Sequence, residues 1–354
     1  MNPIKHSSPE QICLTPRLTG PGSLGGMVSF QAKLVNGLLK RGQQVTYDLN
    51  DPASAAVLVI GGTRHLGGLW RARQRGTRIV QRLDGMNWLH HKQRTGLRAY
   101  LRAEGNNLLL AFIRRFLANG IVYQSQFSHD WWQRVYHNLP TPNRVVYNGV
   151  DLDLYSPLGP QQRPAEHLRI LLVEGHLGPG NTQGLENAVG LASCLRENHQ
   201  LPVELAVVGD VTPQLRAAIE TRALQAMAGS PVKWIGILKR EEIPMADRSA
   251  HLLFSADLNA ACPNSVIEAM ACGLPVVSFD TGALRELVTG DAGRVAPYGS
   301  NYWELEPPSL TPLALAAAEI LTENERFRAA ARRRAEEAFG LDQMVEGYLE
   351  ALLN

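Results

Sequence analysis

Short apolar runs alternate with helical patterns along almost the whole chain, and the series is played twice. "ICLTPRL", "QVTYDL", "AAVLVIGG", "RIVQRLDG", "IVYQSQF" and "RVVYNGV" form the first set. Helical segments lie between them. In "MVSFQAKLVNGLLKRG", Met27, Phe30, Leu34 and Leu38 recur at helical spacing, and Gly42 stops the pattern. A polar stretch rich in Pro and Gly, "VDLDLYSPLGPQQRPAEHL", reads as a linker. After it "LRILLVEGH", "VELAVVGD", "VKWIGIL", "AHLLFSA", "PVVSFD" and "GRVAP" continue the alternation. Such a pattern implies mainly parallel sheets with helices on both faces. The predicted class is α/β, with two Rossmann-like doubly wound domains over 1–160 and 161–335. A last helical stretch, 336–354, could cross back to the first. Ligands of open parallel sheets bind beyond the carboxyl ends of the strands, so a cleft between two such domains is the expected site.

Composition narrows the function classes. The chain is 45% hydrophobic and 19% charged over 354 residues, enough for two cores. No apolar run of spanning length occurs, and "MNPIKHSSPEQICL" lacks the apolar core of a signal peptide. Cys13, Cys194, Cys262 and Cys272 are scattered without a C-x-x-C pair, which argues for free thiols and against a zinc site. The net charge of +2 is uneven: about +12 up to Arg163 and −10 from Ala165 onward. A basic half suits an anionic membrane surface or a phosphorylated acceptor; equally, the two halves could carry complementary surface charge. No nucleic-acid partner is expected. A cytoplasmic location, with peripheral contact at the inner membrane surface, is the expectation.

"ACPNSVIEAMACGLPVVSFDTGALRELV" holds the most chemistry. A helix is expected right after Pro263, capped by Asn264 or Ser265, and its free N–H groups favour an anion such as a diphosphate. Glu268 lies one turn in. There a carboxylate could accept hydrogen bonds from vicinal sugar hydroxyls, or merely cap its own helix.

This stretch resembles the donor-binding signature of glycosyltransferase family 4, a retaining family with the two-Rossmann GT-B fold. "GSLGGMVSF", "VYQSQFSHDWW", "RVVYNGVDLDLYSP" and "VKWIGIL" are similar to further family motifs, in the same order. The resemblance implies a metal-independent, hexosyl-transferring enzyme using a nucleotide diphosphate sugar, with no cofactor and a glycan or glycolipid acceptor. It implies Glu268 at the donor ribose and the backbone of Ser265 and Val266, beside Asn264, at the diphosphate. Gly236 and Ile237 would line the base, Gly25 and Gly26 would admit the donor phosphate or sugar, and Gly282 and Ala283 would lie near the sugar. Asp151 and Asp153 only superficially resemble a metal-binding Asp-x-Asp.

Three departures stand out. The family's first acid falls at Ala260. Its phosphate-clasping Arg and Lys fall at His176 and Gln183, weak substitutes for fixed positive charge. Its N-domain His falls at Asp84, the expected polar group at the reaction centre. Arg17, Arg64, Arg82 or the Gly178–Thr182 loop could compensate, although an arginine on so basic a domain could equally be a solvated surface charge. His90 and His91 read as an exposed loop pair. The leading expectation is a retaining glycosyltransferase of surface polysaccharide or glycolipid synthesis. The alternatives are a catalytically impaired relative that binds nucleotide sugar or glycan or serves as a partner subunit, and a sugar-nucleotide epimerase.

Overall fold

The computed structural model describes residues 10–18, 26–94, 96–177, 182–226 and 232–354. The chain forms two compact units: Met1–Gly149 together with Leu341–Asn354, and Val150–Gly340.

In the first unit β1 (Gln11–Thr15), α1 (Gly26–Lys40), β2 (Gln44–Thr46), β3 (Ser54–Ile60), α2 (Leu66–Gln74), β4 (Arg78–Leu83), α3 (Leu97–Phe112), β5 (Gly120–Tyr123), α4 (Gln126–Tyr136) and β6 (Asn143–Val145) follow in order. The strands make a six-stranded parallel sheet, ordered β2-β1-β3-β4-β5-β6. Alternate residues of β1 go to opposite faces: Ile12 and Leu14 enter one core with α1, Cys13 another with Leu69 and Ala72 of α2. This is the period-2 signature of a strand covered on both sides. α4 starts where Ser125 Oγ accepts from the Ser128 N–H at 3.1 Å, a side-chain N-cap.

The second unit runs β7 (Leu168–Leu177), α5 (Gln183–His199), β8 (Val203–Val211), α6 (Pro213–Ala226), β9 (Lys233–Gly236), α7 (Ile243–Arg248), β10 (Leu252–Ser255), α8 (Asn264–Ala271), β11 (Val276–Phe279), α9 (Leu284–Leu287), β12 (Gly293–Ala296), α10 (Leu310–Thr322) and α11 (Asn324–Ala338). Its parallel sheet is ordered β12-β11-β10-β7-β8-β9. The winding reverses between β7 and β10, so the carboxyl ends of these two strands flank the switch point.

The last helix, α12 (Leu341–Leu353), belongs to the first unit. Met344, Val345, Tyr348, Leu349 and Leu352 recur at helical spacing and are buried with Phe30, Leu34 and Leu38 of α1. Each such side chain contributes about 1.5–3 kcal/mol on burial. A Cβ on Gly37 of α1 would lie 2.3 Å from Val345 Cγ2, so the two helices touch where α1 has no side chain. The acids of α12 meet bases of the unit: Arg41 pairs with Asp342 and Glu346 at 2.8 and 2.7 Å, and Arg144 with Glu350 at 2.6 Å.

Candidate active site

The signature stretch lies beside the switch point of the second sheet. α8 begins directly after Pro263, which occupies the N-cap position; no side chain caps the helix. Asn264 and Ser265 are therefore not caps. They form the first turn itself, because Pro263 fixes the entry angle one residue earlier than the composition suggests. Pro263 brings no side-chain acceptor to the N–H groups of the first turn, a helix end of the kind that can receive an anion. Glu268 follows one turn in and is half-buried, while Val266, Ile267, Ala269 and Met270 anchor the helix in the core.

Gly282 holds the loop carrying Ala260. Its φ is +60°, and a Cβ there would lie 2.6 Å from both the N and the O of Ala260. The Ala283 N–H donates to Ala260 O at 2.9 Å, closing the contact. The position without the acid is thus rigidly defined. Gly236 ends β9 with φ +86°, and a Cβ would meet nothing within 4 Å. Ile237, next to it, is 65% exposed. An open backbone beside an exposed apolar side chain can receive a flat ring.

Gln183, at the start of α5, is engaged within the unit: Nε2 donates to Tyr298 Oη at 3.2 Å. His176 is in β7, its backbone in register with Asp210. Gly25 lies outside the described residues, and Gly26 opens α1. Asp151 Oδ1 accepts from the N–H groups of Asp153 and Leu154 at 3.1 and 3.2 Å. Its place is a turn.

In the first unit Asp84 follows β4 and is half-buried. Its main-chain oxygen accepts from Ser128 Oγ and Trp132 Nε1, each at 2.8 Å. Burial raises its carboxyl above the ordinary carboxylate range, against the pull of the Arg82 charge. Arg82 itself is 1% exposed, stacked 3.9 Å from the Phe30 ring centroid and bonded to Asn148 Oδ1 at 3.1 Å. It is a core cation. Arg64 is exposed in the loop before α2. His90 is buried, not an exposed loop residue: its Nε2 meets Glu104 Oε1 at 2.7 Å, and His91 Nε2 meets the same oxygen at 2.8 Å. Helix α3 supplies that carboxylate from a distance in sequence that local patterning does not reveal.

The family model described as glycosyl transferases group 1 matches residues 169–304, wholly within the second unit. The chain is similar to group 1 glycosyltransferases. It is 27% identical over 252 residues to the alpha-maltose-1-phosphate synthase of Mycolicibacterium smegmatis, covering 66% of this chain and 62% of that relative. Thus it spans less than two thirds of the curated relative's length. Among solved structures, sucrose-phosphate synthase from Thermosynechococcus elongatus matches with TM-score 0.74 at 18% identity, over 96% of this chain and 98% of the other. HepE from Anabaena in complex with UDP matches with TM-score 0.70 at 15% identity, over 97% and 99%. At these identities the likeness is one of fold: two α/β units of the GT-B type.

Two acids flanking the switch point went unnoticed in the sequence. Glu174 lies in the carboxyl-terminal part of β7, three residues before its end, and Asp257 follows β10, the neighbouring strand. Burial and then the Asp257 charge push the Glu174 carboxyl well above its usual range, and burial raises Asp257. The pair holds a proton more tightly than solvated acids do. The signal available was the extra residue in "VEGHL": the β7–β8 register shifts between Val173 and His176. Gly209 of β8 accommodates this shift with φ +144°; a Cβ there would lie 2.0 Å from the Glu174 carbonyl oxygen.

A third acid lies behind α8. Asp247 of α7 is 1% exposed, and among the described residues its carboxyl has no nitrogen or oxygen donor beside it, only the Cys272 thiol. Burial, then the Glu268 charge, raise its carboxyl well above the ordinary range. The folded state therefore binds this proton more tightly than the unfolded chain does. Its stabilising contribution is present below the unfolded value, near pH 4, and declines as pH rises. Asp247→Asn should remove that decline. Unfolding free energies from urea titrations at pH 5 and pH 7 should fall more steeply for the parent than for the variant, by up to about 1.4 kcal/mol per pH unit. Parallel slopes would mean that Asp247 has an ordinary titration.

Proposed function

We propose that the chain is a retaining glycosyltransferase that moves a hexosyl group from a nucleotide diphosphate sugar to an acceptor hydroxyl. The observation that carries this reading is the uncapped start of α8 beside the β7/β10 switch point, with half-buried Glu268 one turn in. The α8 N–H groups would receive the donor diphosphate, and Glu268 would accept from the ribose hydroxyls. As the glycosidic bond breaks, negative charge grows on the diphosphate oxygen; fixed N–H dipoles stabilise it without reorganising. The acceptor hydroxyl then attacks on the face the leaving group vacates and gives its proton to the departing diphosphate oxygen, which retains the anomeric configuration. Helix dipole and backbone donors make a divalent metal unnecessary in this reading. UDP is the first nucleotide to try, since it occupies the HepE structure.

A setting in polysaccharide or glycolipid assembly, with peripheral attraction to an anionic membrane, extends the same reading. No helix among the described residues is long and apolar enough to cross a membrane. Equal sedimentation with neutral and anionic liposomes would remove the electrostatic part.

A second reading, a binding protein with impaired catalysis, is favoured by Ala260 and by Gln183, whose amide bonds to Tyr298 Oη. The test is a thermal-shift screen of UDP, GDP and ADP with their glucose esters, followed by assay of nucleotide release. A shift for one base, with release on adding acceptor, supports the transferase. A shift without release supports the binding protein. No shift for any nucleotide would refute both.

A further inference from the structure

A pocket in the first unit takes in Arg17, which the sequence offered as a candidate partner of the donor diphosphate, and none of the residues placed around α8. It encloses about 640 Å³ at the carboxyl ends of β1 and β2 and the amino end of α2, and its lining includes Thr15, Arg17, Tyr47, Leu49, His65 and Arg71. The winding of the first sheet reverses between β1 and β3, so this is the neighbourhood of its own switch point. Thr15 and Leu49 are buried at the floor, whereas Arg17, His65 and Arg71 are exposed.

The charges there are incompletely used. Arg17 lies 4.9 Å from the Tyr47 ring centroid, a contact that orients the guanidinium without neutralising it. Arg71 gives Nε and Nη2 to the neutral amide oxygen of Asn50, at 3.2 and 3.1 Å. Asp48, the acid of the lining, has Oδ1 occupied by the Asn50 N–H at 2.9 Å. His65 is the N-cap of α2 and its side chain caps no N–H group. Gly68 packs its bare Cα on Leu49, where a Cβ would lie 3.0 Å from Cδ1. A Cβ on Gly67 would meet only Arg71 Nη1, at 3.7 Å, so backbone and guanidinium face the same open space.

We propose that this pocket holds the phosphate of a hexose phosphate, with Arg17 and Arg71 as its ligands and the sugar against Tyr47 and Leu49. Two guanidinium groups and a helix amino end match a doubly charged group better than a single carboxylate. The volume far exceeds that of an inorganic ion and suits a monosaccharide ester. As an acceptor site this deepens the transferase reading and rests on it; as a binding site it stands alone.

Calorimetry on the full chain tests it, with glucose 6-phosphate, fructose 6-phosphate, the parent hexoses, inorganic phosphate and phosphatidylinositol vesicles as probes. A hexose phosphate should bind at least tenfold more tightly than its parent hexose and than inorganic phosphate. Arg17→Ala and Arg71→Ala should each weaken it about tenfold. Both side chains are exposed, so the variants fold. UDP titrated into the same proteins separates the two claims. Retained UDP affinity with lost hexose phosphate affinity supports a separate site. Hexose phosphate binding in a chain that never binds UDP would refute the transferase and leave the pocket. The proposal is overturned by affinities within twofold in both variants, by inorganic phosphate binding as tightly, or by arginine-dependent binding of the vesicles alone.

Discussion

Glu268→Ala should weaken UDP binding by roughly ten- to a hundredfold while the second unit stays folded. A carboxylate accepting hydrogen bonds from sugar hydroxyls contributes about 1.5–3 kcal/mol, and each 1.4 kcal/mol is a factor of ten. The fold survives because α8 is held by Val266, Ile267, Ala269 and Met270. Glu268→Gln keeps the shape and one acceptor oxygen but loses the charge, so an intermediate loss is expected. Calorimetric titration of UDP reads affinity, and a thermal melt reads the fold. Unchanged affinity in both variants would assign Glu268 to its own helix and leave the transferase reading without its anchor.

The largest effect on stability is expected at Gly209. Alanine there must adopt φ +144°, a region L-residues rarely enter, and its Cβ would lie 2.0 Å from a main-chain oxygen of β7. The carbonyl belongs to the paired backbone and cannot swing aside, so β7 and β8 must part. Gly209→Ala should cost about 3–5 kcal/mol and abolish UDP binding with it, because the strands that flank the switch point move. Gly236→Ala is the matched control. Its φ is +86° but nothing lies within 4 Å of a Cβ, so only the conformational cost of about 1–2 kcal/mol remains. Equal melting temperatures for the two variants would show that the β7 shift is soft.

The α/β architecture was legible because each strand is a short apolar run and each covering helix an apolar stripe. β3 shows this clearly, with Ala56–Ile60 an apolar run buried on both faces, as does the Ile170–Leu172 segment of β7. The order of strands was not legible, since alternation says nothing about where winding reverses. That reversal decides which loops converge, and so Glu174 and Asp257 went unnoticed while Glu268, carried by a local motif, did not. Arg82 illustrates the opposite error. A charged residue in a basic domain reads as surface, but β4 points it under Phe30. His90 likewise required Glu104 from another element. Pro263 displaced the helix start by one residue, which turned two expected caps into an uncapped first turn.

The first unit is closed by a helix encoded at the far end of the chain. During synthesis its β-sheet emerges from the ribosome long before α12 exists, and the part of the Phe30, Leu34 and Leu38 core that α12 covers has to wait exposed. The whole second unit is translated in that interval. A nascent chain of this kind offers chaperones a long exposure of one apolar face. Its release from that state is timed by the synthesis of α12 and not by the folding speed of the sheet itself.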